Sequence, residues 1–230
     1  EGRKPGGRAP QPPEERPAPK EQYNFTDPES RIMKTRSGFE QCYNGQLAVD
    51  AEGSLLIVGE HLSAAPNDKE QLLPGVASID PAHRQATAVL VDSGFMSAPA
   101  IAQVEAPAAG QPRKTVYGAL QRESHHRTLA QLEAQEKEPE PLPAGASAPE
   151  KMAHRLATPA GRKLYALRKQ TVEPVFGIIK ETMGFRRFSL RGKANAAREW
   201  TLVCLAYNMK RLHRLAQHAA SERQIAASWA

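Results

Sequence analysis

The 230-residue chain has only two cysteines, Cys42 and Cys204, far apart in the sequence. Two lone thiols make neither a disulfide framework nor a zinc-ligand spacing, and they point to a reducing, cytoplasmic compartment. Aromatic residues are scarce at 6%, and 19 prolines interrupt the chain, so part of it must be linker. No stretch approaches the roughly 20 apolar residues that a membrane-spanning helix needs. No secretory leader pattern is visible. The sequence opens on Glu1 rather than Met, and we expect a fragment boundary there.

Acidic residues thin out toward the C-terminus. From 151 to 230, 16 Lys and Arg stand against 4 Asp and Glu, whereas 1–150 carries 15 against 21. The formal charge of +6 therefore conceals a strongly basic C-terminal third. Such a third suits a polyanionic partner, and equally a helix with a solvated basic face.

Residues 1–23 are rich in Pro, Gly and charge, with no apolar periodicity, and are expected to form a disordered linker. Asp27-Pro28 within NFTDPESRIMK signals a turn. Three strands are expected next: QCYNGQLAVD (41–50), with Gly45 leaving a gap; SLLIVGEHLS (54–63), apolar on both faces; and TAVLVDSGF (87–95). Between the last two, APNDKEQLLPGVASI (65–79) reads as a helix with Asn67 as its cap. The expected order is strand, strand, helix, strand. Asp92 ends the third strand. A carboxylate at the C-terminal tip of a buried strand is where open α/β sheets place functional groups, although a turn-opening Asp reads the same way.

Residues 96–160 carry weaker signals. VYGALQRESHHRTLAQLEAQ (116–135) has room for a helix, and His125-His126 within it reads as surface rather than as a metal site. Residues 134–150 are low-complexity and expected to be a disordered insertion. Helix is expected from about 151 onward. Val172, Val175, Phe176, Ile179 and Met183 recur at helical spacing as an apolar stripe, and Lys169, Glu173 and Lys180 form a polar stripe beside it. Pro174 cannot donate to the Gln170 carbonyl, so the helix should kink or restart there. A second helix over 195–217 should turn Trp200, Val203 and Tyr207 inward and Lys210, Arg211 and Arg214 outward. Residues 218–230 are read as a tail.

Four pieces of the sequence, taken in order, resemble the DDE-type transposases of bacterial insertion sequences. They are NFTDPESRIMKTRSGFEQCYNGQLAVD, APNDKEQLLP with LVDSGF, RKQTVEPVFGIIK with GFRRFSLRG, and LVCLAYNMKRL. The resemblance runs from about Asn24 to Leu215. It implies an α/β fold over 24–217, a partial ribonuclease-H-like core with a mixed sheet, flanking helices and a helical C-terminal part. It implies DNA transposition by phosphodiester cleavage and strand transfer with Mg²⁺ or Mn²⁺, acting on transposon ends and target DNA near the nucleoid. Two of the family's three metal-binding acids carry over to Asp92 and Glu173. Tyr165, Arg168 and Lys180 occupy places similar to the family's accompanying residues. The interval from Arg168 to Glu173 is one residue longer than the commonest pattern, which makes Lys169 a competitor. Phe185 and Phe188 interleave with Arg186, Arg187 and Arg191 as a DNA-contacting segment.

The family's first catalytic Asp belongs on a strand upstream of CYNGQLAVD. Here only the Pro-rich arm lies there; Asp27 is in a turn, and Asp50 is a poor substitute. The resemblance thus implies a C-terminal portion that is inactive alone, with an upstream portion or a homo-oligomer as further partners. A DNA-binding remnant without chemistry is the alternative.

Overall fold

Tyr43 and Asp27 fix where the first strands break. The computed structural model describes residues 23–35, 38–106, 110, 112–120, 138–143 and 145–228. Strands β1 (Arg31–Thr35) and β2 (Gly38–Cys42) form an antiparallel hairpin that opens with Arg31 opposite Cys42. The turn before it closes through Ser30 N–H donating to the Asp27 carbonyl at 3.1 Å. The single strand expected over 41–50 is divided at Tyr43, whose hydroxyl donates to the Asp27 carboxylate at 2.6 Å. Strand β3 then runs Asn44–Val49 and pairs antiparallel with β4 (Ile57–Ser63), with a bulge between Ala48 and Val49. The gap at Gly45 is filled: a β-carbon there would stand 3.1 Å from the Trp200 ring.

The helix expected over 65–79 is much shorter, α1 (Leu72–Ala77), and Gln71 rather than Asn67 precedes it without a side-chain cap. Asn67 instead accepts from Lys69 N–H in a turn, and Asp68 is drawn to Asn44 and Gln46 across the fold. Local capping chemistry lost to these tertiary hydrogen bonds. Strand β5 (Ala88–Val91) follows, then α2 (Ala98–Glu105) as a crossover to β6 (Thr115–Gly118), which lies parallel to β5. Neither α2, β6 nor β1 was expected from the sequence.

Helix α3 (Ala148–Ala157) begins inside the stretch read as an insertion, because Ser147 and Glu150 form a reciprocal capping box. Thr158 caps α4 (Pro159–Gly177) by accepting from Gly161 N–H. Helix α4 does not restart at Pro174; its irregularity comes at Ile178–Thr182, a π-turn in which Met183 N–H reaches back to the Ile178 carbonyl at 2.9 Å. Helix α5 (Lys193–Ser228) is longer than expected and runs through most of the residues read as a tail.

Two cores result. Val175 of α4, Ile179 of the π-turn that follows it, and Trp200, Cys204 and Tyr207 of α5 pack with Ile57 and Leu62 of β4. The second core joins Leu72, Val91, Ile101, Val104, Val116 and Met152. Fully burying one such side chain stabilises by about 1.5–3 kcal/mol, so each cluster can hold its local layer. Helix α4 spans the two, touching β3, β5 and β6. The mixed α/β class and the helical C-terminal part are as expected. The sheet is not continuous: the described strands form three separate pairs, β1–β2, β3–β4 and β5–β6. Residues 1–22 lie outside the described residues.

Candidate functional site

Strand β5 delivers Asp92 to the site. Val91 is buried and ends the strand, and Asp92 Oδ1 accepts from Ser93 N–H at 2.7 Å to cap a single 3-10 turn, Ser93–Phe95. The other oxygen, Oδ2, faces outward and lies 3.7 Å from the Arg168 guanidinium. Glu173 Oε1 stands 3.6 Å from that same guanidinium. Two carboxylates 80 residues apart in sequence thus bracket one arginine. The carboxylate side chains are 58% and 59% exposed while Arg168 is only 16% exposed, so the acids face solvent and the cation sits beneath them.

Arg168 is held from below. Its guanidinium lies over the Tyr165 ring at 5.7 Å, and its buried Nε has no hydrogen-bond partner. The Tyr165 hydroxyl donates to the Val91 carbonyl at 3.2 Å and accepts from Ala119 N–H at 3.3 Å. That bridge pins α4 across the C-terminal ends of β5 and β6 and sets Arg168 beside Asp92. Tyr165, read as a DNA contact, has its hydroxyl committed within the protein. Between the competitors Arg168 and Lys169, Arg168 is the one within ion-pairing distance of the acids; Lys169 is exposed.

The remaining cations lie further along. Lys180 Nζ sits 5.4 Å over the Phe176 ring, and Arg186 pairs with Glu181. Lys180, Arg186 and Arg187 line a shallow groove of about 350 Å³ with Tyr43, Phe188 and Trp200. Arg191 is exposed beyond it. Phe185 and Phe188 point inward to Trp200, at 6.1 and 6.3 Å between ring centroids, and so support the basic loop instead of offering stacking faces. Arg211, expected outward, is half-buried and donates to the Ser54 and Gly53 carbonyls, closing the β3–β4 turn.

The substitute acids are engaged elsewhere. Asp50 accepts from Glu52 N–H, Ser54 N–H and the Ser54 hydroxyl. Burial works against its ionisation, but those hydrogen bonds prevail and hold its carboxyl below the usual value. Asp27 is bound to Tyr43. Among the described residues, no three His, Cys, Asp or Glu side chains are grouped as a metal ion would require. His125 and His126 lie outside the described residues.

One positioning residue was missed in the sequence. Asp68 holds Asn44 and Gln46 at 2.8 and 2.6 Å, and a β-carbon on Gly94 would stand 3.3 Å from its other oxygen. It braces the start of β3 against the turn that follows Asp92. The only local signal was the PNDKE turn chemistry, which names no partner.

Residues 122–213 match the family model described as Transposase DDE domain. This stretch of the chain is similar to DDE-type transposases. The matched stretch contains Tyr165, Arg168, Lys169, Glu173, Lys180, Arg186, Arg187 and Arg191, while Asp92 precedes it. No curated protein and no solved structure matches the chain. Among the described residues, no helix is long and apolar enough to cross a membrane.

Proposed function

We propose that this chain carries part of the catalytic core of a bacterial insertion-sequence transposase, with a partial ribonuclease-H-like fold. Asp92 and Glu173 are its two acids for Mg²⁺ or Mn²⁺. The convergence of Asp92 and Glu173 on Arg168 carries this reading, because it joins an acid outside the family match to one inside it. The donor set fits a hydrated divalent ion: Mg²⁺ keeps several waters and takes one or two carboxylates, and both carboxylates are solvent-facing. A bound ion would stabilise negative charge on the phosphodiester oxygens during cleavage. Arg168 offsets one of the two negative charges of the acid pair and holds its geometry. Lys169, Lys180, Arg186, Arg187 and Arg191 attract and orient DNA phosphates, which are the sites that Lys and Arg most often contact.

Two acids fall short of the convergent set that two-metal phosphoryl chemistry uses. The chain by itself is therefore inactive, and an upstream portion or a second copy completes the site. The same shortfall favours the second reading, a DNA-binding remnant without chemistry. The test mixes the chain with short DNA duplexes at low salt, with and without Mg²⁺ or Mn²⁺, beside Glu173→Gln. Both readings predict binding without cutting. Cutting by the unmodified chain alone would show that it holds a third acid, with Asp50 the first suspect. No binding at low salt would remove the nucleic-acid role altogether.

A further inference from the structure

No described helix or strand packs along the β1–β2 hairpin. Its register sets Ile32 opposite Gln41 and Lys34 opposite Phe39, so these four side chains share one face. All four are exposed, Phe39 at 76%. The other face carries Met33, Thr35 and Cys42, which are half-buried, and Glu40. A lone two-stranded hairpin is marginal in water. Leaving Ile32 and Phe39 in solvent forgoes the burial that would steady it.

The base of this ribbon is nevertheless clamped. The Arg31 guanidinium donates to the Pro28 and Ser30 carbonyls, both at 2.8 Å. Glu29 Oε2 accepts from Lys193 N–H at 2.8 Å, which ties the turn before β1 to the end of the basic loop. Tyr43, the residue after β2, meets Phe188 edge-on at 6.2 Å and lines the same groove as Lys180, Arg186 and Arg187. The ribbon therefore springs from the rim of the basic groove.

Its charge matches that neighbour. Residues 31–42 hold Arg31, Lys34 and Arg36 against Glu40. Lys34 lies on the Phe39 face, which has no acid, and Glu40 lies on the opposite one. An apolar protein surface that covered Phe39 would strip Lys34 of water without a partner. Duplex DNA serves both: phosphates and base acceptors for the cation, thymine methyl groups for the apolar side chains. The major groove, about 12 Å wide and about 8.5 Å deep, admits a two-stranded ribbon. Five residues at roughly 3.3 Å each let the hairpin reach the groove floor while its base stays at the phosphates.

We propose, resting on the nucleic-acid role above, that the β1–β2 hairpin enters the major groove of duplex DNA, with Lys34 and Phe39 toward the base edges. The basic groove at Lys180 and Arg187 then holds the adjoining phosphates.

The test uses the full chain, a labelled pool of random-sequence duplexes, and the same pool with every cytosine replaced by glucosylated hydroxymethylcytosine, which fills the major groove. Lys34→Thr/Phe39→Thr removes the two side chains but keeps residues that suit a strand. Both positions are exposed, and thermal melting checks that the variant folds as the wild type does. If the double variant does not fold, Lys34→Thr alone replaces it. By anisotropy at low salt, the variant should bind the plain pool about fivefold or more weakly than the wild type, the low end of what a groove-edge contact contributes. Glucosylation should weaken the wild type by a similar factor and leave the variant nearly unaffected, since both changes remove one interaction. Equal binding of the plain pool by the two proteins overturns the proposal and leaves the nucleic-acid role standing. So does an equal loss on glucosylation in both, which would put some other element in the major groove. A wild type that binds neither pool removes the nucleic-acid role and the ribbon's part in it together.

Discussion

Removing two cations from the groove beside Trp200 should change how DNA binding responds to salt. Lys180, Arg186 and Arg187 line that groove, and Arg186 is already paired with Glu181. Each phosphate neutralised by Lys or Arg releases counterions and contributes about −0.9 to the slope of log K against log salt on duplex DNA. Three contacts give a slope of about −2.7, so affinity falls ~40-fold between about 50 and 200 mM salt. In Lys180→Ala/Arg187→Ala the contribution of this groove drops to one contact, about −0.9, or ~3.5-fold over the same range. Contacts made elsewhere on the basic helices add equally to both proteins, so the difference in slope, about 1.8, is the quantity to measure. Glu181→Ala frees Arg186, which the three contacts already count, and should strengthen binding at low salt while leaving the slope unchanged. Fluorescence anisotropy with a labelled duplex of arbitrary sequence reads all three. Equal slopes for the wild type and the double variant would refute the placement of DNA on this groove, even if the variant bound more weakly at one salt concentration.

Trp200→Ala should destabilise the chain by about 3–5 kcal/mol, because a nearly fully buried ring against Gly45, Phe176, Phe185 and Phe188 is replaced by a cavity; thermal melting followed by circular dichroism measures it. Cys204 should resist alkylation in the folded chain, since burial, with Glu60 adding to it, pushes its thiol up to about 12; reaction with iodoacetamide near neutral pH at a rate typical of free thiols would contradict its packing. Burial opposes ionisation of Glu105, but the hydrogen bonds from Arg155 and Val116 N–H outweigh it and hold the carboxyl below its ordinary value of 4.5. A lowered folded pKa stabilises above the unfolded value and loses that stability as pH falls through the folded one. The melting temperature should therefore drop more steeply below about pH 4.5 in the wild type than in Glu105→Gln, and parallel curves would dismiss the pair as a source of acid sensitivity.

What the sequence disclosed was the part governed by periodicity. The stripe through Val175 and Ile179, the inward face at Trp200 and Tyr207, and the end of β5 at Asp92 all follow from spacing that repeats locally. Where distant groups decide the outcome, the sequence was silent or misleading. Asn67 looked like a helix cap, yet Asp68 beside it is taken by Asn44 and Gln46, and the helix starts only at Leu72. Tyr43 looked like one side of a strand, yet Asp27 pulls it out and divides the strand. The choice of Arg168 over Lys169 rests on which of two adjacent basic residues faces Asp92, and Tyr165 sets that by gripping Val91. Phe185 and Phe188 alternate with basic residues as a stacking segment would, but the buried Trp200 ring offers them a better partner than solvent.

The central claim is that Asp92 and Glu173 serve one divalent cation site. The direct measurement is paramagnetic broadening of backbone amide resonances by Mn²⁺ at substoichiometric concentration. Amides around Asp92 and around Glu173 should broaden together, and Asp92→Asn or Glu173→Gln should abolish the broadening at both places at once. Broadening around only one of them, around Asp50 instead, or nowhere would contradict the claim.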